Sequence, residues 1–268
     1  MLELFIIILS LLLVIRHRYY WQARGNVIFK DDSKPVIMAH RGSVVMAPGN
    51  TIEAFMDAID CGFKYIEMDV CQLKDDTVVC SHNFDLERES DGNGWIYEKK
   101  ISELKNIRVG NTSHPENTQP IPMFTDVLEK IPDHIFINIE IKCKSLFDFT
   151  TAKTICKMIR LGSISNPHIV SCFNPFIVAY IKIFHSHIYV GYIVDDFKLG
   201  TLTNWIHPDF LHIDASLADD EMFKECKKHG LGITLWTVNS KPAVNWCMER
   251  DILGVITDNK VMANLFNE

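Results

Sequence analysis

Two acidic side chains, Glu67 and Asp69, stand two residues apart in an apolar stretch. Side chains alternate between the faces of a β-strand, so these carboxylates share one face while Ile66, Met68 and Val70 share the other. Two carboxylates on one face repel each other unless a cation lies between them. Because oxygen ligands suit hard divalent ions, the pair predicts a site for Mg²⁺ or Ca²⁺. The alternative is two exposed acids on an edge strand.

Two histidines and an arginine lie on either side of this pair in the sequence. The apolar run at residues 36–39 predicts a buried strand, with His40 at its carboxyl end and Arg41 just beyond. His82 ends a second short extended segment. Histidine titrates near neutrality, and the arginine guanidinium offers a planar fork to phosphate. These residue types predict that one phosphate group is held beside the cation.

A third acid follows on a later apolar segment. If residues 136–142 form a strand, Asn138, Glu140 and Lys142 share one face. Glu140 is then a candidate third ligand of the cation, and Lys142 is placed to reach a phosphate oxygen. Buried acids and a buried lysine are costly unless they are paired or bound to metal. The alternative is a surface strand.

Eight predicted strands alternate with predicted helices. The strands are expected at residues 36–40, 65–71, 136–142, 168–172, 188–194, 210–214, 232–238 and 254–258. The main helices are expected at about residues 50–61, 124–131, 148–161, 175–185, 219–229 and 242–250, the first of them opening with capping-box spacing at Asn50–Glu53. The alternation predicts the α/β class and a closed (β/α)8 TIM barrel. An open doubly wound sheet is the alternative, but no Gly-rich nucleotide motif follows the first strand.

The barrel prediction determines where function is expected. Active sites of such barrels lie at the carboxyl ends of the strands, where the polar side chains described above fall. Phe173 and Trp236 are expected to line the mouth and contact substrate, with core packing as the alternative. His212 and Asp214 are interpreted as a structural pair of the inner layer. The polar segment 85–120 predicts a functional loop or a small insertion over the mouth.

Composition narrows the class of protein. The 268 residues suit one large domain, and a net charge of −7 offers no basic face, so nucleic acid is not an expected partner. Eight cysteines without a C-x-x-C pair predict reduced, partly buried thiols. His207 and His229 fall on predicted helices or loops and are expected to be solvated.

The most hydrophobic run, residues 2–15, lies near the amino terminus and is followed by a basic and aromatic collar at residues 16–21. A full membrane span needs about 20 apolar residues, so this run is short. It predicts an interfacial anchor or a short transmembrane span with snorkelled flanks. A cleaved signal and an apolar helix capping the barrel floor are the alternatives.

Three units are therefore expected: a hydrophobic membrane anchor at 1–21, a polar linker at 22–34 and the barrel domain at 35–268. The charge distribution around the anchor predicts that the barrel lies on the cytoplasmic side of the membrane. The basic residues that follow the apolar run are Arg16, Arg18, Arg24 and Lys30.

Eight motifs occur in one order along the chain. They are His40-Arg41, Asn50-Thr-Ile-Glu-Ala-Phe55, Glu67-x-Asp69, Lys74-Asp-Asp-Thr77, His82, Ile139-Glu-Ile-Lys142, Leu235-Trp-Thr-Val-Asn239 and Gly254-Val-Ile-Thr-Asp258. As an ordered set they resemble the glycerophosphodiester phosphodiesterases, from about residue 35 to the end.

This resemblance implies an activity. Members hydrolyse glycerophosphodiesters to an alcohol and glycerol 3-phosphate, with a divalent cation on three carboxylates. It casts His40 and His82 as the acid–base pair, without fixing which of them protonates the leaving alcohol. The nucleophile, water or a neighbouring glycerol hydroxyl, also stays open.

Two positions depart from the family pattern. Gly49 stands where the family usually has an acid, and Asn83 stands where an aspartate usually follows the second histidine. If that aspartate orients the histidine, the asparagine removes a charge partner from His82. Neither departure removes a metal ligand or a catalytic histidine.

Three alternative functions follow from the same features. With a membrane anchor, lysophospholipids become candidate substrates, as for a lysophospholipase D. A phospholipase of the phosphatidylinositol or sphingomyelinase D type has a related barrel. A non-catalytic barrel that binds lipid headgroups is the alternative outside enzymes, and the retained acids and histidines argue against it.

Overall fold

In the computed structural model, which describes residues 1–24 and 35–265, eight parallel strands close into a barrel surrounded by helices. The strands of the chain are β1 Val36–His40, β2 Tyr65–Gln72, β3 Val78–Cys80, β4 Arg108–Val109, β5 Gln119–Pro120, β6 Phe136–Ile141, β7 His168–Cys172, β8 Val190–Val194, β9 Phe210–Asp214, β10 Gly232–Trp236 and β11 Gly254–Thr257. The helices are α1 Leu2–Tyr19, α2 Ile52–Asp60, α3 Ile101–Leu104, α4 Phe124–Lys130, α5 Thr150–Arg160, α6 Pro175–Phe184, α7 Phe197–Gly200, α8 Thr203–Ile206, α9 Asp220–Lys228 and α10 Lys241–Met248.

Strand pairing closes the barrel in the order β1-β2-β6-β7-β8-β9-β10-β11 and back to β1. The predicted TIM barrel is confirmed. We call the carboxyl end of these strands the rim and the amino end the base. The register pairs His40 with Glu67, and Asp69 with Glu140, so residues distant in sequence meet near the rim.

Apolar side chains fill both sides of the barrel wall, as expected for parallel strands covered by helices. The larger core lies between the strands and the helices. A smaller cluster inside the barrel is built around Met38, Phe136, Ile169, Phe210 and Ile256. This inner packing occupies the lower part of the barrel and leaves its upper part to polar side chains.

Helix α2 begins one residue later than its capping-box spacing predicts. Thr51 is the N-cap, and its Oγ1 accepts a hydrogen bond from the amide of Ala54 at 3.2 Å. Asn50 instead adopts a positive φ of 61°. Its side chain turns towards the rim, where it contacts an acid of the candidate site.

The polar segment 85–120 is an ordered insertion rather than an extended loop. It contains α3 and the short hairpin β4–β5. Its own apolar cluster includes Leu86, Ile96 and Leu104. The insertion therefore forms a fixed wall beside the barrel mouth.

The chain after α1 crosses the base of the barrel. The amide of Ala23 donates to the carbonyl of His229 at 2.8 Å, and Gln22 Nε2 donates to the carbonyl of Lys228 at 3.1 Å. The ring of Trp21 stacks on those of His207 and His229, both at 4.5 Å. The prediction that His229 is solvated is wrong, because Trp21 covers a side chain that is only 2% exposed.

Helix α1 itself buries none of its residues. Among the residues that the structure describes, no helix combines the length and the apolarity needed to cross a membrane. The prediction of a transmembrane span is therefore not supported. Most of the expected linker, residues 25–34, lies outside the described residues.

Candidate active site

Three carboxylates from two neighbouring strands converge at the rim. Oxygens of Glu67, Asp69 and Glu140 all lie within 4.8 Å of one another. Glu67 and Asp69 are 2% and 1% exposed. Burial, reinforced by repulsion from the neighbouring acids, raises the pKa of Glu67 well above its usual range and that of Glu140 to about 7. The cluster resists full ionisation on its own.

Two cations lie against these acids. Arg41 Nε is 3.1 Å from Asp69 Oδ2, and Lys142 Nζ is 3.0 Å from Asp69 Oδ1. Lys142 also contacts Glu140. Although burial opposes ionisation of Asp69, the charges of Lys142 and Arg41 hold its pKa well below the usual range. Asp69 is thus the carboxylate that stays charged.

The donor set fits a divalent cation. Three carboxylates beside two cations leave one negative charge in excess when all are ionised. Glu67 Oε2 accepts from the amide of Arg41 at 3.0 Å, but Oε1 is buried and has no hydrogen-bond partner in the described parts of the chain. A buried carboxylate oxygen without a donor is costly unless a ligand or an ion supplies the missing contact.

Asn50 orients the central acid. Its Nδ2 donates to Asp69 Oδ2 at 2.7 Å, and its Oδ1 accepts from the amide of Asp69 at 3.0 Å. Asn50 was not among the residues predicted for the site from the sequence. Because Asn50 opens the capping-box sequence Asn50–Glu53, it was interpreted as the cap of α2, and its contact with Asp69 was not predicted.

His82 reaches the site through a strand outside the barrel. Antiparallel pairing of β3 with β2 continues into a hydrogen bond from the amide of Ser81 to the carbonyl of Asp69, at 3.1 Å. Burial lowers the pKa of His82 to about 4, so the imidazole is neutral near pH 7. Its Nδ1 lies 3.0 Å from Asn83 Oδ1, so the asparagine contacts the ring without supplying a charge.

His40, at the end of β1, is held by an acid that directly follows the last strand, β11. Its Nδ1 is 2.6 Å from Asp258 Oδ1, and this hydrogen bond lowers the pKa of Asp258. Asn239 Nδ2 in turn donates to Asp258 Oδ2 at 3.2 Å. Both partners were missed as site residues, although each lies in a motif that carried the family resemblance. An acid directly after a barrel strand was the available signal for Asp258.

A cavity of about 120 Å³ begins at the acids and extends into the barrel. Phe173 and Trp236 line it, with ring centroids 5.7 Å apart in an edge-to-face arrangement. Lys142 Nζ lies 5.8 Å from the centroid of the Phe173 ring. The cavity is also lined by His40, Arg41, His82, Asn138 and His212.

A second cavity, of about 300 Å³, shares Arg41 and His82 with the first. The loop after β1 and the tip of the insertion form its other walls. His114 Nε2 lies 3.2 Å from the carbonyl of Val44, and Asn117 Nδ2 donates to the carbonyl of Met46 at 2.7 Å. These bonds fix one wall against the other.

Gly49 stands in that second cavity. A Cβ at this position would lie 2.9 Å from Arg41 Cβ and 3.2 Å from Val44 Cγ1. The acid usual in the family would therefore require Arg41 to move.

The structure brings all nine sequence-predicted site residues to the rim. They are His40, Arg41, Glu67, Asp69, His82, Glu140, Lys142, Phe173 and Trp236. Their roles as acid, base, ligand or substrate contact stay predictions. His212 and Asp214 do not form the expected structural pair: His212 is buried and lines the first cavity, whereas Asp214 accepts from the amide of Ser216 at 2.8 Å.

Phosphodiesterases are among the known proteins that this chain resembles in sequence and in structure. A glycerophosphodiester phosphodiesterase of Caldanaerobacter subterraneus is 28% identical over 238 residues, covering 84% of this chain and 95% of the relative. The structure of an Oleispira antarctica phosphodiesterase, in complex with the product sn-glycerol-3-phosphate, is 26% identical with a TM-score of 0.77 over 88% of this chain and 98% of that one. The Thermotoga maritima glycerophosphodiester phosphodiesterase is 26% identical with a TM-score of 0.66, covering 85% and 96% of the two chains.

The sequence profile described as the glycerophosphoryl diester phosphodiesterase family matches residues 40–261. This match covers most of the chain and includes every residue of the rim cluster. The chain therefore belongs to the glycerophosphoryl diester phosphodiesterase family.

Proposed function

We propose that this protein hydrolyses glycerophosphodiesters to an alcohol and glycerol 3-phosphate with the help of a divalent cation. The observation that carries the proposal is the cluster of three carboxylates within 4.8 Å of one another, at a cavity also lined by His40 and His82. Glu67, Asp69 and Glu140 would hold Mg²⁺ or Ca²⁺. When bound there, the ion supplies charge stabilisation to the non-bridging phosphate oxygens.

The protein side chains do the rest of the work. Arg41 donates to the same phosphate oxygens, and its position is set by the ion pair with Asp69. His40 and His82 supply the base and the acid. Asp258 holds one imidazole and Asn83 the other, each through Nδ1, so Nε2 is the nitrogen left to exchange a proton.

Hydrolysis of glycerophosphocholine and glycerophosphoinositol, each with and without chelator, tests the reaction. We expect turnover that stops on chelation and returns with added Mg²⁺ or Ca²⁺. Replacing either histidine by alanine should lower kcat by about 10²–10⁴-fold, while the circular dichroism spectrum stays that of the wild type. Turnover unaffected by chelation would remove the cation from the proposal. Near-normal rates in either variant would remove that histidine.

The second cavity supports a small polar alcohol as the leaving group. Arg41 and His82 line both cavities, so a phosphate at the acids has one substituent in each. Ser113, His114 and Glu89 line the second cavity together with the apolar Val44, Pro48 and Val109. The three polar side chains can bind the polar groups of a headgroup alcohol.

Lysophospholipase D activity is the second candidate, and helix α1 is the observation that favours it. Its apolar side chains are exposed along the helix, from Leu2 at 72% to Ile15 at 38%. We propose that α1 attaches the chain to the cytoplasmic face of a membrane through its exposed apolar side chains, with Arg16 and Arg18 beside anionic lipid. A membrane-bound enzyme would meet lysolipids directly.

Vesicle flotation and a lysolipid assay separate these cases. We expect the full chain to float with phosphatidylserine vesicles more than with phosphatidylcholine vesicles, and Leu9→Glu in α1 to abolish flotation. Absence of flotation would contradict the membrane proposal. Turnover of lysophosphatidylcholine without turnover of glycerophosphocholine would make lysophospholipase D the primary activity.

A further inference from the structure

His212 lies inside the barrel beneath the site. It is the middle residue of β9, pairs in register with Ile193 and Thr234, and is 1% exposed. Gly191 on β8 makes room for the ring: a Cβ at Gly191 would lie 2.3 Å from His212 Nε2. The imidazole thus closes the floor of the cavity that Phe173 lines.

The ring of His212 lacks the partners that a buried imidazole ordinarily has. Neither Nδ1 nor Nε2 has a hydrogen-bond partner among the residues that the structure describes. Asn138 Oδ1, on the same cavity wall and 1% exposed as a residue, is likewise unpartnered within the described chain. Each buried polar group left unpaired costs roughly 1–3 kcal/mol. Such groups in a native fold call for a ligand or an ordered water.

The chemistry of the ring suits a hydroxyl group. Burial lowers the pKa of His212 to about 4, so the imidazole is neutral and carries one donor and one acceptor. An alcohol also carries a donor and an acceptor. The cavity volume of about 120 Å³ is below the ~300–1,000 Å³ of pockets that enclose drug-sized ligands, which matches a short polyol.

We infer that His212, assisted by Asn138, is a specificity-determining residue that binds the hydroxyl groups of the glycerol moiety. The inference rests on the proposed function, because a phosphate held at the acids places the glycerol towards the cavity floor. The rings of Phe173 and Trp236 cover the C–H faces of the glycerol, and His212 and Asn138 satisfy its oxygens. A phosphomonoester without these hydroxyls leaves the two buried residues unpaired.

Binding of two phosphomonoesters tests this without requiring turnover. Isothermal titration calorimetry in the presence of Mg²⁺ compares glycerol 3-phosphate with n-propyl phosphate, which has the same carbon chain but no hydroxyls. We expect the wild type to prefer glycerol 3-phosphate by about tenfold or more, as for one or two hydrogen bonds. His212→Leu should lose most of this preference, chiefly through weaker binding of glycerol 3-phosphate. Asn138→Leu should lose part of it.

His229→Leu is the matched control, because it removes another buried histidine, which lies at the base of the barrel rather than at the rim. Both nitrogens of His229 are occupied, by the carbonyl of Trp21 at 3.0 Å and by Glu225 at 3.3 Å. We expect this variant to lower Tm and keep the ligand preference, whereas His212→Leu keeps or raises Tm.

The possible failures are distinguishable. Equal affinities of the wild type for the two phosphates, or an unchanged preference in His212→Leu, would overturn the role of His212 and leave the proposed function intact. Failure of the wild type to bind either phosphate would overturn both.

Discussion

The base and the rim of the barrel both contain buried acidic side chains, but only the acid at the base has all its hydrogen-bond partners among the residues that the structure describes. At the base, Asp209 is fully buried and every lone-pair direction is used: it accepts from Arg24 at 2.8 and 2.9 Å, from Lys182 at 2.8 Å and from the amide of Val190 at 3.1 Å. At the rim, three acids crowd together and Glu67 Oε1 has no hydrogen-bond partner in the described chain.

The two buried histidines repeat this contrast. His229 at the base has a partner on each nitrogen, whereas His212 below the rim has none among the described residues. A polar group whose hydrogen bonds are all made within the chain holds chain segments together. It has no hydrogen-bonding capacity left for a ligand. Unsaturated polar groups cost stability, which is the expected signature of groups that await a substrate or an ion.

Removing an acid from the rim should produce the largest effect. Glu67→Gln keeps the shape of the side chain but withdraws one ligand of the proposed cation. Because that ion contributes several kcal/mol to the transition state, we expect kcat/KM for glycerophosphocholine to fall by about 10³-fold or more. The metal-free Tm should stay equal or rise, because the substitution removes an ionisable group that burial, and then repulsion from Asp69 and Glu140, make costly in the folded state. A fall in both activity and Tm would make Glu67 a structural acid like Asp209.

Removing the acid from the base should do the reverse. Asp209→Asn leaves Arg24 and Lys182 facing a neutral partner, and both are partly solvated, with side chains 37% and 19% exposed. We expect a loss of about 2–4 kcal/mol in the free energy of unfolding, measured in urea, with little change in kcat.

The matched control for Asp209→Asn is Asp251→Asn. Asp251 pairs with Lys227 at 3.0 Å, but the two side chains are 80% and 78% exposed. This surface pair should be worth no more than about 1 kcal/mol. Equal effects of the two substitutions would contradict the view that the base is a saturated structural site.

Local patterns in the sequence were sufficient to predict the barrel and the residues at the rim. β1, β7 and β9 match their predicted bounds because short apolar runs end in a polar residue or a turn. The acids at 67, 69 and 140 could be placed together because alternation and barrel geometry fix their face and their height.

Long-range contacts were not readable from the sequence. The Asp258 partner of His40 lies 218 residues away in the chain, and the Trp21 cover of His229 lies 208 residues away. Nothing local distinguishes a histidine that a distant aromatic ring buries from one in solvent. The absence of a hydrogen-bond partner for the His212 ring among the described residues also depends on the neighbouring strand, because Gly191 lies against the ring and has no side chain.

The rim and the base should also respond differently to pH. The pKa of Glu140 is raised to about 7, and that of Glu67 is raised well above its usual range. In the metal-free protein, the stability that these acids contribute is therefore fully present below the pKa values that they have in the unfolded chain. It is lost as the pH rises through their folded pKa values. His82 has the opposite sign: its lowered pKa costs stability as pH falls from about 6.5 to about 4. At the base, the pKa of Asp209 is lowered. Its contribution to the free energy of unfolding is therefore constant at every pH above the pKa that it has in the unfolded chain.

Cation binding requires the ionised acids, so the gain in Tm on adding Mg²⁺ should increase between about pH 5 and about pH 8. Differential scanning calorimetry with and without Mg²⁺ at each pH measures it, and contributions shared by both states, such as that of Asp209, cancel in the difference. Glu67→Gln should remove most of the gain. A gain that is independent of pH would mean that the cation binds elsewhere.

The smallest expected effect concerns the attachment of the amino-terminal segment to the base. Trp21 is 7% exposed, stacks between His207 and His229, and donates from Nε1 to Asn204 Oδ1 at 3.1 Å. Trp21→Ala should raise the rate of limited proteolysis within residues 1–24 by about tenfold, corresponding to ~1.4 kcal/mol of local stability, with kcat unchanged.

Tyr20→Ala is the control for that substitution, because Tyr20 is the adjacent aromatic residue but is 78% exposed. It removes a similar ring without uncovering His229, so proteolysis should stay at the wild-type rate. If the two variants were cleaved equally fast, the stack on His207 and His229 would not be what holds the segment. If Trp21→Ala instead lowered kcat, the base would be coupled to the rim, and the separation of a saturated structural end from an unsaturated functional end would no longer hold.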